Sequence, residues 1–81
     1  MPRYVFDVHD GLDIPDEQGV DLPDLRTARI EAMRLSGALL RDHPAHYVDA
    51  GELRIDIRTP LRGVLATVAV SAVFHEDSAS G

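Results

Sequence analysis

Among residue types able to do chemistry, the densest cluster is Asp42-His43-Pro44-Ala45-His46, followed by Asp49. Two imidazoles and two carboxylates in so short a stretch suggest zinc, but a tetrahedral site needs three or four donors converging on one point. A segment broken by proline offers no helical or strand register to arrange them, so the reading here is exposed loop histidines. The acids Asp10, Asp13, Asp16, Glu17 and Asp21 in turn suggest calcium. An EF-hand loop requires D-x-[DN]-x-[DN]-G closed by a distant glutamate, and this run has neither the spacing nor the closure. Aspartate favours turns and helix caps because its carboxylate accepts nearby backbone N–H groups, and that is the preferred role. Ser36, Thr67 and Ser71 lie in no G-x-S-x-G elbow, and no glycine-rich phosphate loop exists. The chain has no cysteine, which removes disulfides, thiolate metal sites and thiol nucleophiles. His9 and His75 sit in or beside strands with no assignable partner. No catalytic residue, no metal and no cofactor is therefore expected, and the chain reads as a non-enzyme.

The elements that would position these residues are legible from their periodicity. Tyr4, Phe6 and Val8 alternate with Arg3, Asp7 and His9, the pattern of a half-buried strand, with Val5 the one apolar residue on the polar side. Asp10-Gly11 follows, a two-residue hairpin signal for a type I′ turn with φ > 0 at both positions. The return strand, Leu12 to Ile14, stops at Pro15, which places it at a sheet edge. Asp16-Glu17-Gln18-Gly19 reads as a turn. Asp24 can cap a helix whose apolar stripe is Leu25, Ala28, Ala32, Leu35, Ser36 and Leu39. Pro44 disfavours helical geometry at His43, so the helix should end near Asp42. Residues 43 to 51 are expected to form a loop with Tyr47 and Val48 tucked inward. The three arginines Arg26, Arg34 and Arg41 share one side of the helix, with Ile30 and Met33 among them, and are read as a solvated face.

Leu53, Ile55 and Ile57 alternate with Glu52, Arg54, Asp56 and Arg58 in a third strand. Thr59-Pro60-Leu61-Arg62-Gly63 is turn chemistry, with proline at the second position and Gly63 suited to a left-handed one. A last strand from Val64 to Val73 is apolar on both parities. The expected fold is α+β, a ββαββ unit over residues 1–75, with a four-stranded, mainly antiparallel sheet in the order 2-1-3-4. One helix covers one face of that sheet in a right-handed crossover. The order 2-1-4-3 would make the apolar strand central but its pairing with strand 1 parallel. Residues 76–81 are expected to be a disordered tail. The predicted core comprises Tyr4, Phe6, Val8, Leu25, Ala28, Ala32, Leu35, Leu39, Leu53, Ile55, Ile57, Val64 and Val68.

Composition bounds the function. The 81 residues leave room for one small core, and such a chain often leans on a partner for stability. The 14 acids against 8 bases, all of them arginine, give a net charge of −6 that repels phosphate backbones. Seven acids fall within residues 1–24 against Arg3 alone. Nucleic-acid binding is not expected, nor is a membrane span, and the absence of a signal-like opening points to the cytoplasm.

Met1-Pro2-Arg3-Tyr4-Val5-Phe6, then Asp10-Gly11, then Asp16-Glu17-Gln18-Gly19-Val20-Asp21-Leu22-Pro23-Asp24-Leu25, with Ala28 and Glu31-Ala32, resembles a family of short bacterial proteins of unknown function. Members open MPRY, turn at DG and enter a helix through D-E-x-G-x-x-L-x-D-L. The resemblance covers most of residues 1–40 and implies no activity. The chain departs from the pattern at Pro44, where the family's helical region continues. Leu22-Pro23-Asp24 and Glu31-Ala32 also carry a fainter similarity to HicB-like antitoxin domains.

Two functions compete. The first is an interaction module that forms a homodimer through its last strand, with Val68, Val70, Ala72 and Phe74 at the interface. Residues 64 to 74 contain neither charge nor proline, the usual protection of a sheet edge. At about ten residues, this strand would overhang a partner of about eight by ~7 Å. The second is an antitoxin-like or regulatory protein whose acidic half neutralises a basic protein partner.

Overall fold

Alternating burial identifies the strand on which the fold is organised. In a computed structural model, which describes residues 1–75, Leu53, Ile55 and Ile57 are almost wholly buried. They belong to the second of the three long strands of a five-stranded sheet. In chain order the elements are β1 (Arg3–His9), β2 (Asp13–Ile14), β3 (Val20–Asp21), α1 (Leu25–Asp42), α2 (Pro44–Ala50), β4 (Glu52–Arg58) and β5 (Val64–Ser71). The sheet runs β2-β1-β4-β5, all antiparallel, and β3 pairs with β1 on the same side as β2. The expected α+β class and the order of the four expected strands hold, and β3 is an addition. The tail expected at 76–81 lies outside the described residues.

β2 and β3 are the two ends of what would be one edge strand. Pro15 has no N–H to give the ladder, and the chain bows out between Ile14 and Val20. In the gap the Asp16 carboxylate takes over from a strand carbonyl: it accepts the Phe6 N–H at 3.2 Å. The same side chain accepts the N–H groups of Gln18 and Gly19, while the Asp16 N–H donates to Asp7. Burial acts to raise the Asp16 carboxyl, but these three backbone donors outweigh it and hold it below the usual carboxylate range. Gly19, at φ +71°, passes so close to β1 that a Cβ there would lie 2.7 Å from the Tyr4 carbonyl and 2.9 Å from Val5 Cγ1. This close approach buries Val5, the apolar residue on the otherwise polar face.

The first hairpin differs from the expected type I′ turn. Val8 pairs with Ile14 and His9 with Asp13, leaving a three-residue loop in which Gly11 alone has positive φ. A non-glycine residue pays a steric cost at positive φ, and Asp10 avoids it. Its N–H instead donates to the Leu12 carbonyl.

α1 begins and ends as its sequence predicts. The Asp24 carboxylate accepts the Thr27 N–H at 2.8 Å, satisfying a donor that the first turn leaves free. Ala28, Ala32 and Ser36 form the buried line of the helix, and the Ser36 hydroxyl donates to the Ala32 carbonyl. Leu25, Leu35, Leu39 and Leu40 flank that line and are half-buried against the core. Small residues along the contact line let the helix approach the sheet closely.

Residues 44–50 are helical rather than a loop. Proline is well placed in a first helical turn, where its missing N–H would be unpaired anyway. His43, at φ −132° and ψ 52°, breaks α1 and redirects the chain, and Gly51 closes α2 in the left-handed conformation. The helical region thus continues past Pro44. α2 buries Tyr47 as expected, but it turns Val48 out to solvent.

β4 and β5 pair from Glu52↔Ser71 to Arg58↔Val64, with a bulge beside Ile57/Arg58 that absorbs one extra residue of β5. The Arg62 N–H donates to the Thr59 carbonyl across the Pro60-Leu61 turn, and Gly63 does not take the left-handed conformation expected of it. Past the bulge, Leu65 packs on the core and Val64 is exposed, which removes Val64 from the predicted core. β5 has eight residues and β4 seven, so the expected overhang does not exist.

Ile55 has no exposed surface and lies between Val8 of β1 and Val68 of β5. Ile55→Ala should cost about 2–5 kcal/mol, enough to unfold much of so small a chain. Leu39→Ala, at a half-buried flank, should cost less. Urea melts of the two variants check this ordering.

Candidate functional site

Three groupings of functional side chains result from this architecture. The first lies on the sheet face away from α1, where β1 contributes Asp7 and His9 and β4 contributes Arg54, Asp56 and Arg58. Asp7 and Asp56 are direct cross-strand partners. Like charges so placed repel unless each is neutralised. Arg58 Nε donates to Asp7 at 2.6 Å, while Asp56 takes the Thr67 hydroxyl at 2.9 Å and lies 3.1 Å from His9 Nε2 and 3.5 Å from Arg54 Nε. His9 Nδ1 in turn lies 2.6 Å from Asp13 on β2. Burial pushes the Asp7 carboxyl up, but the Arg58 hydrogen bond, the Asp16 N–H and the nearby positive charges hold it below the usual range. The result is a charge ladder across β2, β1 and β4 on an open surface, extended to β5 by a neutral hydroxyl. Its one hydroxyl, that of Thr67, is already donated to Asp56.

The second grouping ties the first hairpin to α2. Asp10 is buried, and its Oδ2 accepts the Tyr47 hydroxyl at 2.8 Å. His46 Nε2 lies 3.1 Å from the Asp10 carbonyl and 3.4 Å from Oδ2, and its ring meets that of Tyr47 edge-on. Burial would raise the Asp10 carboxyl, but the Tyr47 hydroxyl, the Leu12 N–H and His46 more than offset it, and the group is held below its ordinary value. For Tyr47, burial and then the bond to and charge of Asp10 all act in one direction, pushing the phenol up to about 12. The histidines of the Asp42–Asp49 stretch do not converge: His46 turns to Asp10, and His43 is exposed at the break between helices. Among the described residues, no group of three or more His, Asp or Glu is placed to hold a metal ion.

The third is a cleft of about 540 Å³ at the end of the sheet where β1 starts and β4 turns into β5. Its walls are mostly apolar, with Tyr4, Pro60, Leu61 and Leu65 lining it together with Arg3 and Arg62. Leu61, at the turn tip, is 96% exposed. Arg3 is engaged by Asp21 and the Gln18 carbonyl, and among the described residues Arg62 has no ion-pair partner.

The four residues expected at an interface lie along and beyond β5, the last strand of the sheet. Val68 and Val70 are half-buried against the helix-side core. Ala72 follows the strand, its N–H donating to the Gly51 carbonyl, and Phe74 is 68% exposed. The arginine side of α1 is solvated: Arg34 pairs with Glu31 and Arg41 with Asp42, both at the surface. Sequence reasoning missed the Asp10–Tyr47–His46 grouping and the partners of His9. The spacing of Asp10 from Tyr47 carries no local signal, whereas the polar alternations Asp7, His9 on β1 and Arg54, Asp56, Arg58 on β4 are a legible hint of the ladder.

The family model described as Domain of unknown function (DUF6894) matches residues 3–71. The chain belongs to that family, as its opening motifs imply. No curated protein and no solved structure matches it. No helix among the described residues is long and apolar enough to cross a membrane.

The pKa directions fix the pH dependence of stability. Asp7, Asp10 and Asp16 are lowered on folding from an ordinary value of 3.8, so their stabilisation is complete above about pH 4 and is lost as pH falls through the folded values. Tyr47 is raised from 10.0 to about 12, so its contribution is complete below pH 10 and is lost as pH rises toward 12. Tyr47→Phe should lower stability at neutral pH by about 1–3 kcal/mol, because it removes the hydroxyl donor that the buried Asp10 carboxylate accepts at 2.8 Å and leaves that oxygen only the longer His46 contact. It should also flatten the decline above pH 10. Urea melts across both pH ranges test this, and an unchanged alkaline slope in the variant would contradict it.

Proposed function

We propose that the chain is a non-enzymatic interaction module that forms a two-fold dimer by pairing β5 with β5 of a second copy. The observation that carries this reading is the bare outer edge of β5. The Ala72 N–H points inward to Gly51, and backbone groups alternate sides along a strand. Val68 and Val70 therefore point their N–H and C=O groups at β4, while Thr67, Ala69 and Ser71 point theirs out of the sheet. Natural edges are blunted by charge, proline, a bulge in mid-strand or a covering element. The β5 bulge lies at its start, and Val64 to Phe74 has neither charge nor proline. Left uncovered, such a strand is a template for aggregation. A second copy satisfies the outward groups symmetrically, joining two sheets into one, and brings further cover to Val68 and Val70.

The alternative, binding of a basic protein partner by the acidic half, has less behind it. Six of the seven acids in residues 1–24 are engaged within the fold: Asp7, Asp10, Asp13, Asp16, Asp21 and Asp24 each hold a side chain or a backbone N–H. Few are left to meet a target.

The parity of β5 selects the test. A proline at Val70 would break the ladder to β4, whereas Ala69→Pro removes an outward N–H from an exposed position and leaves that ladder intact. In sedimentation equilibrium at high micromolar concentration the natural chain should be a dimer. Ala69→Pro should be a monomer that retains its circular dichroism spectrum. A natural chain that sediments as a monomer would overturn the proposal.

A further inference from the structure

We infer that the apolar cleft at the β4–β5 turn is the receptor for the Val73–Phe74 segment of the second copy, an inference that rests on the β5 pairing proposed above. Antiparallel pairing about a two-fold axis sets the C-terminal end of one β5 beside the N-terminal end of the other. With Leu65 counted as the extra residue of the bulge, an axis at Ala69 brings Phe74 of the second copy opposite Gly63, and an axis at Val68 brings it opposite Leu61. Either register delivers the exposed Phe74 to the turn that walls the cleft.

The faces agree as well. Val68 and Val70 pack on the helix side of the sheet, and continued alternation puts Ala72 and Phe74 on that side. A two-fold axis perpendicular to the sheet keeps both helix sides together. Tyr4 and Leu65 line the cleft and pack with the helix-side core. A chain's own Phe74 is poorly placed for its own cleft, because the eight residues of β5 separate the two by ~26 Å at ~3.3 Å per residue. The cleft is thus completed in trans, and the dimer is fastened at both ends of the shared strand pair.

The absence of native cysteine gives a direct test. Full-length Leu61→Cys and Phe74→Cys chains, mixed and oxidised, should form a mixed disulfide dimer. Phe74→Ala should weaken the dimer about tenfold or more in sedimentation equilibrium, the usual effect of removing an aromatic anchor. A natural chain that dimerises, with no mixed disulfide and an unchanged Phe74→Ala dissociation constant, would overturn this inference and leave the edge pairing standing. A natural chain that is monomeric would overturn both.

Discussion

One helical layer lying over one face of the sheet is the constraint from which the other features follow. α1 places its small residues Ala28, Ala32 and Ser36 over the middle of the sheet, and Leu53, Ile55 and Ile57 of β4 are buried beneath it. Each such side chain contributes about 1.5–3 kcal/mol of hydrophobic stabilisation. On one side β1 is protected by the split strand β2/β3 and by the Asp10 contact to α2. On the other, α1 lies over β5 as it does over β4, yet Val68 and Val70 remain half-buried and the outer backbone edge of β5 has no neighbouring strand among the described residues. Among the described residues, α2 packs towards β4 and no element borders the outer edge of β5, which is the edge that the proposed dimer pairs.

The aspartates do for the first half of the chain what the helix does for the core. Asp16 substitutes for a missing strand carbonyl, Asp24 caps α1, Asp10 ties the hairpin to α2, and Asp7 with Arg58 crosses from β1 to β4. Each carboxylate is held by donors strong enough to overcome its own desolvation or needs little compensation for it. An acidic composition that reads as a surface property is largely a set of internal fastenings. Ion pairs along α1 such as Arg34–Glu31 and Arg41–Asp42, where both partners meet water, add little stability by comparison.

Much of the fold was legible because its signals are local. The period-two alternations at Tyr4–Val8 and Leu53–Ile57, the Asp24 cap and the stop at Asp42 all depend on neighbours within a few residues. The failures share a different cause. Pro44 disfavours helical geometry at His43 yet is compatible with a first helical turn, and the expectation of a loop over 43–51 misses α2 for that reason. Val20–Asp21 is too short to show a period and pairs only because Gly19 can pass beside β1. The bulge near Arg58 flipped the parity of Val64 and Leu65, which no alternation could reveal. The candidate site divides in the same way. The chargeless, proline-free run of β5 was plain in the sequence, but the cleft joins Tyr4 to Leu65 and Asp10 meets Tyr47 only through tertiary packing.

In the proposed dimer the outward amides of β5 are paired in trans, and amide hydrogen exchange read residue by residue reports that pairing. Val68 and Val70, bonded to β4, should exchange slowly at every protein concentration. Thr67, Ala69 and Ser71 should be protected at high concentration and lose that protection on dilution below the dissociation constant. Exchange of these three amides at the rate of open backbone, unchanged from low to high concentration, would contradict the account.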